Sequence, residues 1–234
     1  MILEYLQPEP SLLDGATVLL RGVQHVATLG AAGLALFALG FGHRLEPVEA
    51  ARLRRTLLAA VAAGLVVASY AALGHSTLYG PRQEIVALLV LHLAVVAFWV
   101  GSLPPLLWVA RRPDGAAATA LVRDWSRFAT WAVLAMLATG LLLTWYLTVR
   151  LDRILDAWHG WALVAKTLAV LAALALAGWN RLRHTPSLAR GEAGAGARLA
   201  GSIRVEMVFV LLAFWAAAEM VSVHPIDYGH RISG

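Results

Sequence analysis

The chain contains no cysteine. That excludes a disulfide framework and a thiolate metal site, and it leaves soft-metal chemistry to histidine, methionine and carboxylate. Methionine is scarce as well, with four in 234 residues, too few for a methionine ladder from one membrane face to the other. Charge is thin: Asp, Glu, Lys and Arg make up 14% of the chain, where a soluble domain carries about a quarter. No ATP-binding motif occurs, which excludes pumping by nucleotide hydrolysis in this chain. The first fourteen residues hold Glu4, Glu9 and Asp14 and no basic residue, so they lack the positive n-region of a secretory signal peptide. A net charge of +5 does not point to nucleic acid, because the arginines fall between apolar runs and form no continuous stripe.

What is present is apolar: 60% of the residues are hydrophobic, gathered into six runs at about 15–41, 57–73, 85–109, 128–149, 157–179 and 202–223. A helix needs about 20 such residues to cross a bilayer, and the runs lack the alternation of barrel strands. The expected fold is therefore an all-α, six-helix transmembrane bundle forming one domain over 1–234, with no soluble second domain. Orientation follows from arginine. Arg44, Arg52, Arg54, Arg55, Arg111, Arg112, Arg123, Arg127, Arg181, Arg183, Arg190 and Arg198 fall on one side, against Arg82, Arg150, Arg153 and Arg231 on the other. The positive-inside rule then places both termini on the periplasmic side of an inner membrane. Residues 191–196, Gly-Glu-Ala-Gly-Ala-Gly, read as a flexible linker in the longest connection.

An ionisable side chain inside a span is costly, and so points to function. Arg21, His25, His92, Lys166, Glu206 and Glu219 are of this kind. Counting along the helices at about 1.5 Å per residue, His25 and His92 sit at matched depth in the outer half of the membrane. Two imidazoles placed so can share a metal or ligate both faces of a haem. His75, His159 and His224 stand at the outer rim; Glu219 and Met220 lie one turn deeper, and Asp227 and His230 follow in the tail. Imidazole suits copper, zinc and iron alike. Plainer readings stand beside these: an interhelical hydrogen bond for His25 and His92, interfacial tips for the rim histidines, an ion pair of Lys166 with Glu219, and pairing of Glu206 with Arg204 or Lys166. Arg21, four residues before His25, shares its helix face and would hold a carboxylate, a cofactor propionate or the headgroups.

The third run, Leu91-His92-Leu93-Ala94-Val95-Val96-Ala97-Phe98-Trp99-Val100-Gly101-Ser102-Leu103, resembles the signature helix of the copper resistance protein D (CopD) family. The likeness continues through Phe128, Thr139-Gly140, the stretch Gly160-Trp161-Ala162-Leu163-Val164-Ala165-Lys166, Asn180-Arg181, Arg204-Val205-Glu206 and His224-Pro225. It implies a bacterial inner-membrane protein of copper handling, often described as moving copper inward from the periplasm, with the carrier CopC as its usual partner. The spacing of His92 and Trp99, followed by Gly101 and Leu103-Pro104, is also similar to HemJ-type membrane protoporphyrinogen oxidases, which bind haem. This chain departs from those in having more spans and Trp-x-Gly in place of Trp-x-x-Gly.

Two functions are expected from these features. In the first, His75, His159 and His224 capture copper at the rim, and His25 and His92 hold it deeper with Glu219 or Met220 as a third ligand. The protein is then a transporter or metal-binding protein rather than an enzyme. In the second, His25 and His92 are axial ligands of haem b, with Arg21 facing a propionate, in a membrane electron-transfer protein.

Overall fold

The computed structural model describes residues 12–51, 82–112, 115–147 and 158–222. Helix α1 (Leu12–Phe41) ends in a 3-10 turn, Gly42–Arg44; α2 (Arg82–Val109) and α3 (Gly115–Leu147) follow. Helix α4 (Trp158–Trp179) runs into a π-helical turn, Asn180–His184, and the short α5 (Thr185–Ala189), before α6 (Ala195–Ser222). Among the described residues five helices are long and apolar enough to cross a membrane, and no strand occurs. The run expected at 57–73 lies outside the described residues, as do His75, His224, Asp227 and His230.

The helices reach beyond the apolar runs at the arginine-rich end. Helix α3 begins at Gly115, not near 128, because Ala116, Ala117, Ala118 and Ala120 are strong helix formers and hydropathy does not register them as part of a span. Arg123 and Arg127, expected in a loop, are helical residues one turn apart. Likewise α6 begins at Ala195. The expected flexible linker is in fact a tight turn in which Gly191 and Gly194 take positive φ of 68° and 72°, conformations that cost glycine little. A Cβ at Gly196 would strike the Ala110 carbonyl oxygen, so the start of α6 is packed directly on the end of α2.

Helix α6 packs most extensively on α4 and also touches α1 and α2, while α2 packs on α1 and α3. The outer surface is apolar, with Leu39, Trp131 and Leu141 each more than 70% exposed, as expected where the solvent is lipid. At the arginine-rich end Arg44 meets Asp124 at 2.5 Å, and Arg112 pairs with Glu49 while reaching the Arg44 carbonyl at 3.5 Å.

The closest approach in the bundle is between α1 and α2. A Cβ on Gly33 would overlap the Ala97 carbonyl oxygen, and one on Gly101 would overlap the Gly33 backbone. Two glycines thus let the backbones touch, the small-residue contact by which membrane helices gain dispersion energy. Because Arg44 and Arg112 meet beyond this crossing, α1 and α2 run parallel. Gly33→Ala should lower the unfolding free energy in detergent by about 1–3 kcal/mol, the range for overpacking. Gly30→Ala, where a Cβ meets nothing within 4 Å, should change it by less than about 0.5 kcal/mol. Equal effects in thermal unfolding of the two variants would refute the contact.

Candidate functional site

His92 is held in a defined orientation. Its Nδ1 lies 3.0 Å from Thr139 Oγ1, and that hydroxyl donates to the Ala135 carbonyl at 2.7 Å, with Met136 O at 3.1 Å. A hydroxyl has one proton to donate; with it on the Ala135 carbonyl, Thr139 would accept from Nδ1–H, and Nε2 would keep its lone pair. A ring oriented in this way by a polar partner on the other nitrogen is the arrangement of metal-ligating histidines. Gly140 makes the space: a Cβ there would stand 3.3 Å from His92 Cε1.

His25 reaches the same level on α1. It precedes the Gly33 crossing by eight residues, about 12 Å along the axis, while His92 precedes Ala97 and Gly101 by five and nine, about 8–14 Å. Both rings are partly buried, and Arg21 stands one turn before His25 on α1. Among the described residues Lys166 makes no ion pair with a carboxylate. The expected pairing with Glu219 is therefore corrected, since the two side chains are not within 4 Å. Glu219 and Met220 are half-buried in the last turn of α6. His159 lies in the first turn of α4, its side chain outside the description. Among the described residues no three His, Asp or Glu side chains gather closely enough to hold a metal ion.

A second polar cluster joins three helices deeper in the bundle. The Trp99 indole donates to Glu206 Oε1 at 3.0 Å, and Asn180 Nδ2 donates to Oε2 at 3.3 Å. Glu206 is 2% exposed, and Trp99 and Asn180 are buried with it. The expectation that Glu206 pairs with Arg204 or Lys166 is overturned: no cation among the described residues lies within ion-pair distance of it. It lies level with Trp99 of α2 and with Asn180 at the end of α4. Asn180, where α4 passes into the π turn, supplies the second donor; such turns recur at functional positions. A buried carboxyl with two neutral donors is equipped to take up or release a proton, or to meet a passing cation. Trp99 had a sequence signal in its seven-residue spacing from His92. The Asn180 link had none, since a π turn leaves no trace in composition.

Residues 119–220 match the family model of copper resistance protein D. The CopD segment takes in α3 to α6, and with them Thr139, Lys166, Asn180 and Glu206; His25, His92 and Trp99 precede it. No curated protein and no solved structure matches the chain. Five helices among the described residues are long and apolar enough to cross a membrane, which makes this a multi-pass membrane protein, similar over residues 119–220 to copper resistance protein D.

The glutamate cluster can be tested without any ligand. Trp99→Phe keeps the ring and removes the donor, leaving a buried oxygen without that partner, and should cost about 1–3 kcal/mol of stability. Combined with Glu206→Leu, the double variant should show a coupling of at least about 0.5 kcal/mol in chemical unfolding. Simple additivity would mean that the two side chains do not interact.

Proposed function

We propose that the protein binds copper within the membrane through His25 and His92 and takes it from the arginine-poor, periplasmic face of an inner membrane. What supports this reading is the contact of His92 Nδ1 with Thr139 Oγ1, since a ring held through Nδ1–H would offer Nε2 to a metal. The CopD match supports copper as the cargo. Neutral imidazole accepts Cu(I) and Cu(II), and further ligands would come from Glu219, Met220 or the rim histidines His75, His159 and His224. A separate periplasmic carrier of the CopC type is the natural donor, and the bilayer is the permanent partner.

A second reading is favoured by one observation. Lys166 has no carboxylate partner among the described residues, while Arg21 shares the face of His25. Paired imidazoles and two cations suit a dianionic cofactor such as haem b, with His25 and His92 as axial ligands and Lys166 and Arg21 toward the propionates. Bound there, haem would supply one-electron chemistry.

The purified protein distinguishes the two. For copper, a colourless preparation takes up the metal stoichiometrically, His92→Ala abolishes uptake, and Thr139→Val weakens affinity about 10–100-fold, as loss of an orienting partner does. A Soret band that disappears in His25→Ala and His92→Ala would overturn the copper reading in favour of haem. Orientation can be read independently because the chain has no cysteine of its own. A single cysteine at Ala193 should be modified by a membrane-impermeant thiol reagent only from the cytoplasmic side.

A further inference from the structure

A cavity of about 350 Å³ opens at the arginine-rich end, lined by Arg123, Ser126 and Arg127 of α3 and by Arg181, Thr185 and Arg190 from the end of α4 and α5. No carboxylate lines it. Among the other arginines at this end, Arg44 is matched by Asp124, Arg112 by Glu49 and Arg198 by Glu192 at 3.4 Å, while Arg111, Arg183 and Arg204 make no ion pair among the described residues but do not line this cavity. Arg190 is drawn to Glu192 at 2.7 Å, and its guanidinium holds that carboxyl below the usual carboxylate range. Arg123, Arg127 and Arg181 make no ion pair among the described residues. Arg123 and Arg127 are also one turn apart on one helix, a like-charge spacing that destabilises a helix unless an anion lies between. Arg181 is fixed across the gap by donating to Thr130 Oγ1, which sets its guanidinium beside the α3 pair.

Below the cavity the surface changes character. Trp131, Leu134 and Leu141 follow Arg127 at intervals of four, seven and fourteen residues, so they continue its helix face, and they are 74%, 51% and 74% exposed. Trp179 and Leu182 of the α4 segment are likewise exposed. Helices α3 and α4 have little direct contact, α3 meeting the α4 segment mainly through α5. A crevice with a cationic head and apolar walls thus faces the bilayer.

We propose that this crevice binds one anionic glycerophospholipid, its phosphate between Arg123, Arg127 and Arg181 and its acyl chains along Trp131, Leu134 and Leu141. Guanidinium forks suit phosphate oxygens, and basic pockets between membrane helices accept lipid headgroups. A free phosphate would use the same arginines but not the apolar wall. This site is separate from His25 and His92 and does not depend on what they bind.

The full-length protein, purified in neutral detergent, is titrated with phosphatidylglycerol, phosphatidylcholine or inorganic phosphate; bound lipid is counted by native mass spectrometry and stability followed by thermal unfolding. Phosphatidylglycerol should bind at one per chain and raise the unfolding temperature, with phosphatidylcholine and inorganic phosphate without comparable effect. Arg123→Gln/Arg127→Gln/Arg181→Gln should weaken binding about 100-fold, from the usual contribution of each basic residue near an anionic membrane. Arg181→Gln alone, less exposed to folding failure, should weaken it about fivefold. Arg198→Gln should leave it unchanged. Equal stabilisation by phosphatidylcholine, full stabilisation by inorganic phosphate alone, or undiminished binding in the Arg181 variant would each overturn the proposal.

Discussion

The contact between Gly33 and the Ala97–Gly101 turn governs the geometry of this bundle. Membrane helices gain nothing by hiding apolar surface from one another, because the lipid is equally apolar; they associate where backbones come close enough for dense packing. Glycine on both sides permits that approach, and it fixes the axial register of two parallel helices. Once that register is set, the depths of His25 and His92 follow, as does the level at which Trp99 faces α6. The polar chemistry of the chain is therefore positioned by residues that have no polar side chain.

Around the crossing, two polar clusters are held by different means. His92 is oriented by a relay of hydrogen bonds within α3, from its Nδ1 to Thr139 and from Thr139 to Ala135. Glu206 is held between α2 and the end of α4 by two neutral donors. The first arrangement would leave a nitrogen lone pair available to a ligand. The second keeps a carboxyl in low-dielectric surroundings with its oxygens satisfied and no cation beside it among the described residues. A histidine ring held by a hydroxyl and a buried carboxyl held by neutral donors are the polar groups that the bundle places between its helices.

Much of this was legible in the chain itself. Five of the six apolar runs correspond to helices, since twenty apolar residues with little charge have few other stable outcomes in lipid. The matched levels of His25 and His92 also followed from counting, because helical rise is nearly constant. Helix ends were less legible: α3 and α6 extend through alanine and arginine well past the apolar runs, and hydropathy measures transfer to lipid rather than helix propensity. The partner of Glu206 was not legible either: Arg204 is near it in sequence, whereas Trp99 and Asn180 come from other helices.

The sequence by itself determined that this is a helical membrane chain with many of its basic residues gathered at one end, because both properties depend only on the local order of residues along the chain. Tertiary structure decided which polar groups meet. The meeting of Asn180 with Glu206, the Thr139 hydroxyl beside His92 and the arginine cavity between α3 and α4 all depend on how each helix is rotated about its axis. That rotation is set by packing between segments far apart in the chain, a property that no single run of residues contains.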